Sequence, residues 1–203
     1  MSQRFRCGQC GARGTADFAG TVVCPDCGRH LVEGAVRRLV YVTGVSCAGK
    51  TTTGRAMKQA DPSLWVTDID TGGTPNAAHL DWLHWRAAEA LHAATERDAP
   101  VSVVTGIVWP HAVIDSNAWP AAMKSPLMVD WVLLDPPWKL LRERLGERLA
   151  AKPRAERRDI IAYNRGLRRV LRRQVEQQRL GHVVRYSGDV AQAAKYAALA
   201  AGL

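Results

Sequence analysis

Residues 39–54, LVYVTGVSCAGKTTTG, decide how this chain folds. Leu39 to Thr43 is a short apolar, β-branched run of the kind a buried parallel strand needs. It leads directly into Gly44 to Thr51, GVSCAGKT, which satisfies G-x-x-x-x-G-K-[ST], and then into the helix-compatible TTGRAMKQA at 52–60. Strand, glycine-bounded loop and helix in that order make an anion cradle, because the loop N–H groups and the helix N-terminus converge on one point. Gly44, Ser46, Ala48, Gly49, Lys50, Thr51 and Thr52 are therefore the expected nucleotide-phosphate positions. Lys50 is expected to reach the β- and γ-phosphates, and the Thr51 hydroxyl to ligate magnesium. A fortuitous glycine-rich turn is the competing reading, and the agreement of the three elements speaks against it. Cys47, inside the loop, reads as a small filler.

Outward from this loop the chain alternates as an α/β domain with helices on both faces of a five-stranded parallel sheet should. Further strands are expected at Leu64 to Thr67, Val101 to Thr105, Trp131 to Leu134 and His182 to Tyr186. Thr74 and Pro75 read as the N-cap and first turn of a long helix reaching about Arg97. Asp135, before Pro136-Pro137, reads as the N-cap of the next helix, and Asp189 as that of the last. Leu167, Val170, Leu171 and Val175 form an apolar stripe at helical spacing. The 203 residues, 47% of them hydrophobic, suffice for one such domain plus a small appendage. No apolar run is long enough to span a membrane and no signal-type segment opens the chain, so a cytoplasmic protein without a membrane partner is expected.

The appendage is expected at residues 1–34, ahead of a main domain at 38–203. Cys7, Cys10, Cys24 and Cys27 are spelled CGQCG and CPDCG, with 13 residues between the pairs. A glycine after each pair allows a tight turn whose amides face the sulfurs, and two such turns present four thiolates tetrahedrally, the arrangement of a structural zinc ribbon. Two disulfides are the alternative, disfavoured in a reducing compartment. Charge is uneven as well. The net +9 arises wholly between Lys139 and Arg179, where 14 basic residues meet 5 acidic ones. Such a segment suits phosphorylated ligands or nucleic acid, although an arginine-rich coding bias would produce the same excess.

The phrase VTGVSCAGKTTTG, the DID at 68–70, the apolar third strand ending at Gly106, LLRERLGERL at 140–149 and YSGDVAQA at 186–193 together resemble the shikimate kinase and gluconate kinase branch of P-loop kinases. Chloramphenicol phosphotransferase is a more distant look-alike. The resemblance spans about residues 38–203, and its one specific motif is the phosphate loop. It implies an ATP- and magnesium-dependent transfer of the γ-phosphoryl group to a hydroxyl of a small molecule. The first carboxylate of the D-x-D, Asp68, would help magnesium; the second, Asp70, would hold the acceptor hydroxyl and take its proton. An Asp70→Asn change is then expected to abolish transfer while ATP affinity stays near wild type. Carboxylates at the C-terminal end of a parallel strand beside the phosphate loop do lie where such sheets bind ligands. A plain turn pair before TGG is the alternative. The resemblance also implies a lid, here RLAAKPRAERR at 148–158, with Arg148 and Arg154 as first candidates to close on the phosphates and Arg144, Arg157 and Arg158 behind them. Ser187, Gly188 and Asp189 would border the adenine. The third strand, VSVVTG, carries no terminal carboxylate of the Walker B kind.

Acceptor residues are expected after the second and third strands, among His79, Asp81, Trp82, His84 and Trp85, and Trp109, His111, Asp115 and Trp119. The indoles suit a flat acceptor, although Trp82 and Trp85 at helical spacing read equally as interior residues. Two other functions fit the same residues: a nucleotide or nucleic-acid 5′-hydroxyl kinase, which would bind single strands with strong salt dependence, and a non-enzymatic ATP switch using the ribbon to hold a partner.

Overall fold

The computed structural model describes residues 2–6, 13–17, 22–23, 26, 30–31, 37–70, 77–97, 99, 101–122, 127–177 and 180–201. Near the N-terminus, β1 (Ser2–Arg6) pairs antiparallel with β2 (Arg13–Asp17), and β3 (Val22–Val23) with β4 (His30–Leu31). All four cysteines of the expected ribbon, Cys7, Cys10, Cys24 and Cys27, lie outside the described residues, as do Thr74 and Pro75.

The main sheet is built on β5 (Arg37–Thr43), with β6 (Trp65–Asp68), β7 (Val101–Thr105), β8 (Leu127–Leu134) and β9 (Gly181–Val184) in the order β6-β7-β5-β8-β9, every neighbouring pair parallel. Between the strands run α1 (Lys50–Ala60), α2 (Ala77–Glu96), the short α3 (Pro110–Ile114) and α4 (Trp119–Ala122), then α5 (Trp138–Arg148) and α6 (Arg154–Arg172), with α7 (Val190–Ala201) last. Leu39 to Val42 have no exposed surface, as a central strand covered on both faces requires, and this is why its sequence is a continuous apolar run rather than an alternating one. Tyr41 stacks on its β8 neighbour Trp131, ring centroids 5.8 Å apart, and its hydroxyl donates to the Ala87 carbonyl of α2 at 2.7 Å. Helix α1 lies so close to the sheet that a Cβ at Gly54 would fall 2.5 Å from Thr105 Cγ2.

Several sequence expectations are corrected. β8 begins four residues earlier than expected, at Leu127, because Leu127 to Asp130 continue the pairing with β5 from Arg37 to Val40. Asp135 does not cap α5: Pro137 stands at that position with no side-chain cap, and the buried Asp135 carboxylate instead meets Arg168 Nε through Oδ1 and Arg172 Nε through Oδ2, the latter at 3.3 Å. Two guanidinium partners from another helix outweigh a local turn contact. Val170 is 40% exposed, whereas Leu167, Leu171 and Val175 are buried with Asn164; α6 ends in a π-helical turn at Arg173–Gln177, which re-phases its last residues. Trp85, at 54% exposure, is not an interior residue. Asp189 does cap α7, its Oδ1 accepting from the Ala191 N–H at 2.9 Å.

Candidate active site

The phosphate loop turns at the C-terminal end of β5, which lies between β7 and β8 in the sheet, the end at which parallel sheets bind ligands. The turn needs two left-handed residues. Gly49 (φ 82°) supplies one without steric cost, and a Cβ there would also meet the Tyr186 hydroxyl at 2.9 Å. Cys47 (φ 64°) supplies the other, so it is more than a filler.

Three side chains from later in the sequence grip backbone groups of three successive loop residues, Ser46, Cys47 and Ala48. The buried Asn164 of α6 accepts from the Ser46 N–H at 3.0 Å, and its amide donates to the Ile160 carbonyl at 2.9 Å. Arg144 of α5 donates to the Cys47 carbonyl at 3.4 Å and to the Gly188 carbonyl at 3.1 Å. Tyr186, after β9, donates to the Ala48 carbonyl at 2.5 Å. Burial pushes the Tyr186 phenol up, partly offset by Arg144. Arg144 thus ties the loop to the 187–189 segment rather than lying free in the lid. Neither Asn164 nor Tyr186 was anticipated as a site residue. The signal for Asn164 was there, a polar residue in phase with the Leu167–Leu171 stripe.

Lys50 opens α1 and is buried. Its ammonium donates to the Val45 carbonyl at 3.1 Å and lies 3.6 Å from Asp70 Oδ2. Burial lowers its pKa, opposed by the charges of Asp70, Asp68 and Cys47. At the next residue, the Thr51 hydroxyl donates to Asp68 Oδ2 at 2.5 Å. The Asp70 N–H donates to Asp68 Oδ1 at 3.0 Å. The D-x-D is therefore both a turn pair and a pair of carboxylates facing the loop, and its two readings coexist. Neutralising Asp70 would alter the surroundings of the Lys50 ammonium.

Hydroxyl and carboxylate oxygens meeting at Thr51 and Asp68 are hard donors of the kind magnesium takes, since that ion keeps several waters and borrows phosphate oxygens. Among the described residues no cluster of three or more His, Cys, Asp or Glu could hold a metal by itself. Thr51 and Asp68 could hold such an ion only together with phosphate oxygens and water.

Ser187 and Asp189 are exposed beside this loop, and Gly188 carries a positive φ of 117°. An adjoining cavity of about 470 Å³ is lined by Ser187, Tyr186, Gln192, Tyr196 and the arginines at 168, 172 and 185. In the segment expected as a lid, Arg148 ends α5 and Arg154 begins α6; both are exposed, Arg157 is partly buried, and Arg158 is 81% exposed beside Asp159. The acceptor candidates divide. His79 comes to Asp70, its Nε2 3.9 Å from Oδ1, and stacks on Trp82. His84, Trp85 and Asp115 instead line a separate cavity of about 500 Å³, where burial lowers the His84 pKa against the opposing Asp81.

No family model and no curated protein sequence matches the chain. Solved structures do. Shikimate kinase from Acinetobacter baumannii in complex with shikimate is 21% identical with a TM-score of 0.52, over 81% of this chain and 92% of that one. A gluconokinase from Sinorhizobium meliloti is 14% identical with a TM-score of 0.54, over 82% and 93%. The tunicamycin resistance protein of Deinococcus radiodurans is 16% identical with a TM-score of 0.53, over 82% and 96%. Residues 37–201 accordingly have the α/β P-loop kinase fold. No described helix is long and apolar enough to cross a membrane.

Proposed function

We propose that this chain is an ATP-dependent kinase that moves the γ-phosphoryl group to a hydroxyl of a small molecule. The observation that carries the reading is the convergence of Lys50, Thr51, Asp68 and Asp70 at one end of β5 and β6. In this reading Gly44 to Thr52 wrap the phosphates, and Lys50 leaves the Val45 carbonyl for the β- and γ-oxygens. Ser187 to Asp189 border the base. Asp70 accepts the proton of the acceptor hydroxyl, whose oxygen bonds to the γ-phosphorus as the bond to the β,γ-bridging oxygen breaks and ADP departs. Magnesium, held through Thr51 and Asp68, neutralises phosphate charge when bound. Arg148 and Arg154, exposed at the ends of α5 and α6, are the lid cations, and their guanidinium forks suit phosphoryl oxygens. A second carboxylate beside the lysine is what a proton-accepting transfer needs and a mere ATP switch does not, which favours the kinase over the switch.

The acceptor side lies near His79 and Trp82, where an indole favours a planar or aromatic alcohol. The basic lid keeps nucleotide and nucleic-acid 5′-hydroxyls within the panel of acceptors to be tried. For residues 1–34 the reading is a structural zinc ribbon held by Cys7, Cys10, Cys24 and Cys27. It is supported by each C-x-x-C pair falling in the segment that joins two paired strands, β1 to β2 and β3 to β4. Residues 38–203 form the kinase domain. Phosphorus NMR of ATP with magnesium against alcohols, nucleosides and oligonucleotides tests the activity: a new phosphoester signal with one acceptor is expected, and ATP left intact with every one of them overturns it.

A further inference from the structure

Asp70 stands between two cationic or hydrogen-bonding partners on different helices. Its Oδ2 is 3.6 Å from Lys50 Nζ on α1, and its Oδ1 is 3.9 Å from His79 Nε2 on α2. Lys50 belongs to the phosphate loop and already donates to the Val45 carbonyl. Drawn onto phosphate oxygens, its ammonium gives up most of its hold on Asp70, because the phosphates carry the greater negative charge. The carboxylate, 24% exposed in this structure, then stands beside a triphosphate that repels it, with His79 as the donor in reach among the described residues.

That donor is held for the task. The His79 ring is 13% exposed and stacks on Trp82 at 5.7 Å with 23° between planes. The Arg86 guanidinium lies 5.7 Å from the same indole centroid. Residues 79, 82 and 86 stand at i, i+3 and i+7 on one face of α2, so indole and guanidinium form a stack behind the imidazole. From 3.9 Å a small closure brings Nε2 to the roughly 2.9 Å of a hydrogen bond. The other anion near Lys50, Asp68, is engaged by Thr51 and by the Asp70 N–H.

We propose that His79 is a positioning residue that takes Asp70 over from Lys50 when a nucleoside triphosphate draws the lysine to its phosphates. The carboxylate is thereby aimed at the acceptor hydroxyl only once the phosphoryl donor is seated. This deepens the kinase reading and rests on it.

The test needs no acceptor. Binding of the non-hydrolysable ATP analogue AMPPNP with magnesium is measured by calorimetry for the full chain, His79→Phe, His79→Gln, Asp70→Asn and the double variant His79→Phe/Asp70→Asn. Phenylalanine keeps the stack on Trp82 and loses the donor; glutamine restores a donor. His79→Phe is expected to bind about three- to tenfold more weakly, as coupled neighbours do, with His79→Gln recovering most of the loss. Asp70→Asn frees Lys50 and binds more tightly, and in that background His79→Phe has no further effect. A loss on His79→Phe that is equal in both backgrounds, or no loss in either, overturns the exchange while leaving the phosphate loop in place. A wild-type chain that does not bind AMPPNP overturns the kinase reading and the exchange together. Should His79→Phe fail to fold, His79→Gln against His79→Ala in both backgrounds decides the same question.

Discussion

Asn164→Ala removes one of the three grips on the phosphate loop, and its consequences can be worked out from the packing. The side chain has no exposed surface, and its Oδ1 is the partner of the Ser46 N–H. Its truncation leaves that amide without its partner beside a small void. A buried donor stripped of its acceptor costs about 1–3 kcal/mol. For a chain of this size each kcal/mol lowers the melting temperature by about 2–4 °C, which gives a fall of about 2–12 °C by calorimetry. The loss should reappear in ligand binding. With Ser46 untethered, a nucleotide must order the loop itself, so MgADP affinity should fall as well. A binding cost of 1–2 kcal/mol corresponds to about 5–30-fold. The two readouts separate two roles: a residue that only fills the core lowers the melting temperature and leaves affinity alone. A variant with wild-type melting temperature and wild-type MgADP affinity would refute the reasoning, because the hydrogen bond it depends on would then contribute nothing.

Lys50→Ala should lower phosphoryl transfer by orders of magnitude, since no other buried cation faces the loop from α1; turnover at the wild-type rate, followed by phosphorus NMR, rejects the assignment. Asp68→Asn and Asp135→Asn should behave as opposites. The first shifts the magnesium dependence of AMPPNP binding with little change in melting temperature. The second leaves Arg168 without its buried partner, costs up to about 3–5 kcal/mol, and leaves the magnesium dependence unchanged; the reverse pattern would make Asp135 the metal-side carboxylate. Zinc analysis of gently purified protein should return about one ion per chain under the four-thiolate rule. Cys24→Ser should lower that content while nucleotide binding persists, and wild-type protein without zinc rejects the ribbon.

What could be read from the sequence was what neighbouring residues determine. The run LVYVT, the glycines of GVSCAGKT and the helix behind them gave strand, turn and helix in their observed order, and Asp189 announced its own helix. Asp68 and Asp70 are expected at the loop from the family resemblance, in agreement with carboxylates ending a parallel strand, where such sheets bind ligands. The errors share a physical origin. Asp135 reads as a cap because capping is local, yet its carboxylate is claimed by Arg168 and Arg172, more than thirty residues on. Helical spacing makes Trp85 look buried, although nothing in a single helix says which of its faces a sheet will cover.

The site itself divides in the same way. The loop itself, Gly44 to Thr51, is a continuous stretch of chain and is legible, whereas the residues that fix it are assembled from α5, α6 and the end of β9. Asn164, Arg144 and Tyr186 reach Ser46, Cys47 and Ala48 across sequence separations of 118, 97 and 138 residues. A backbone turn with left-handed residues at both Cys47 and Gly49 has little intrinsic stability, so it needs outside anchors to stay open for a ligand. Two of those anchors, Arg144 and Asn164, stand on α5 and α6, the helices that meet at the segment proposed as the lid. Arg148 and Arg154, the lid cations of the proposed reading, stand on the same two helices. The loop is thus joined to α5 and α6 by partners that its own stretch of sequence does not identify.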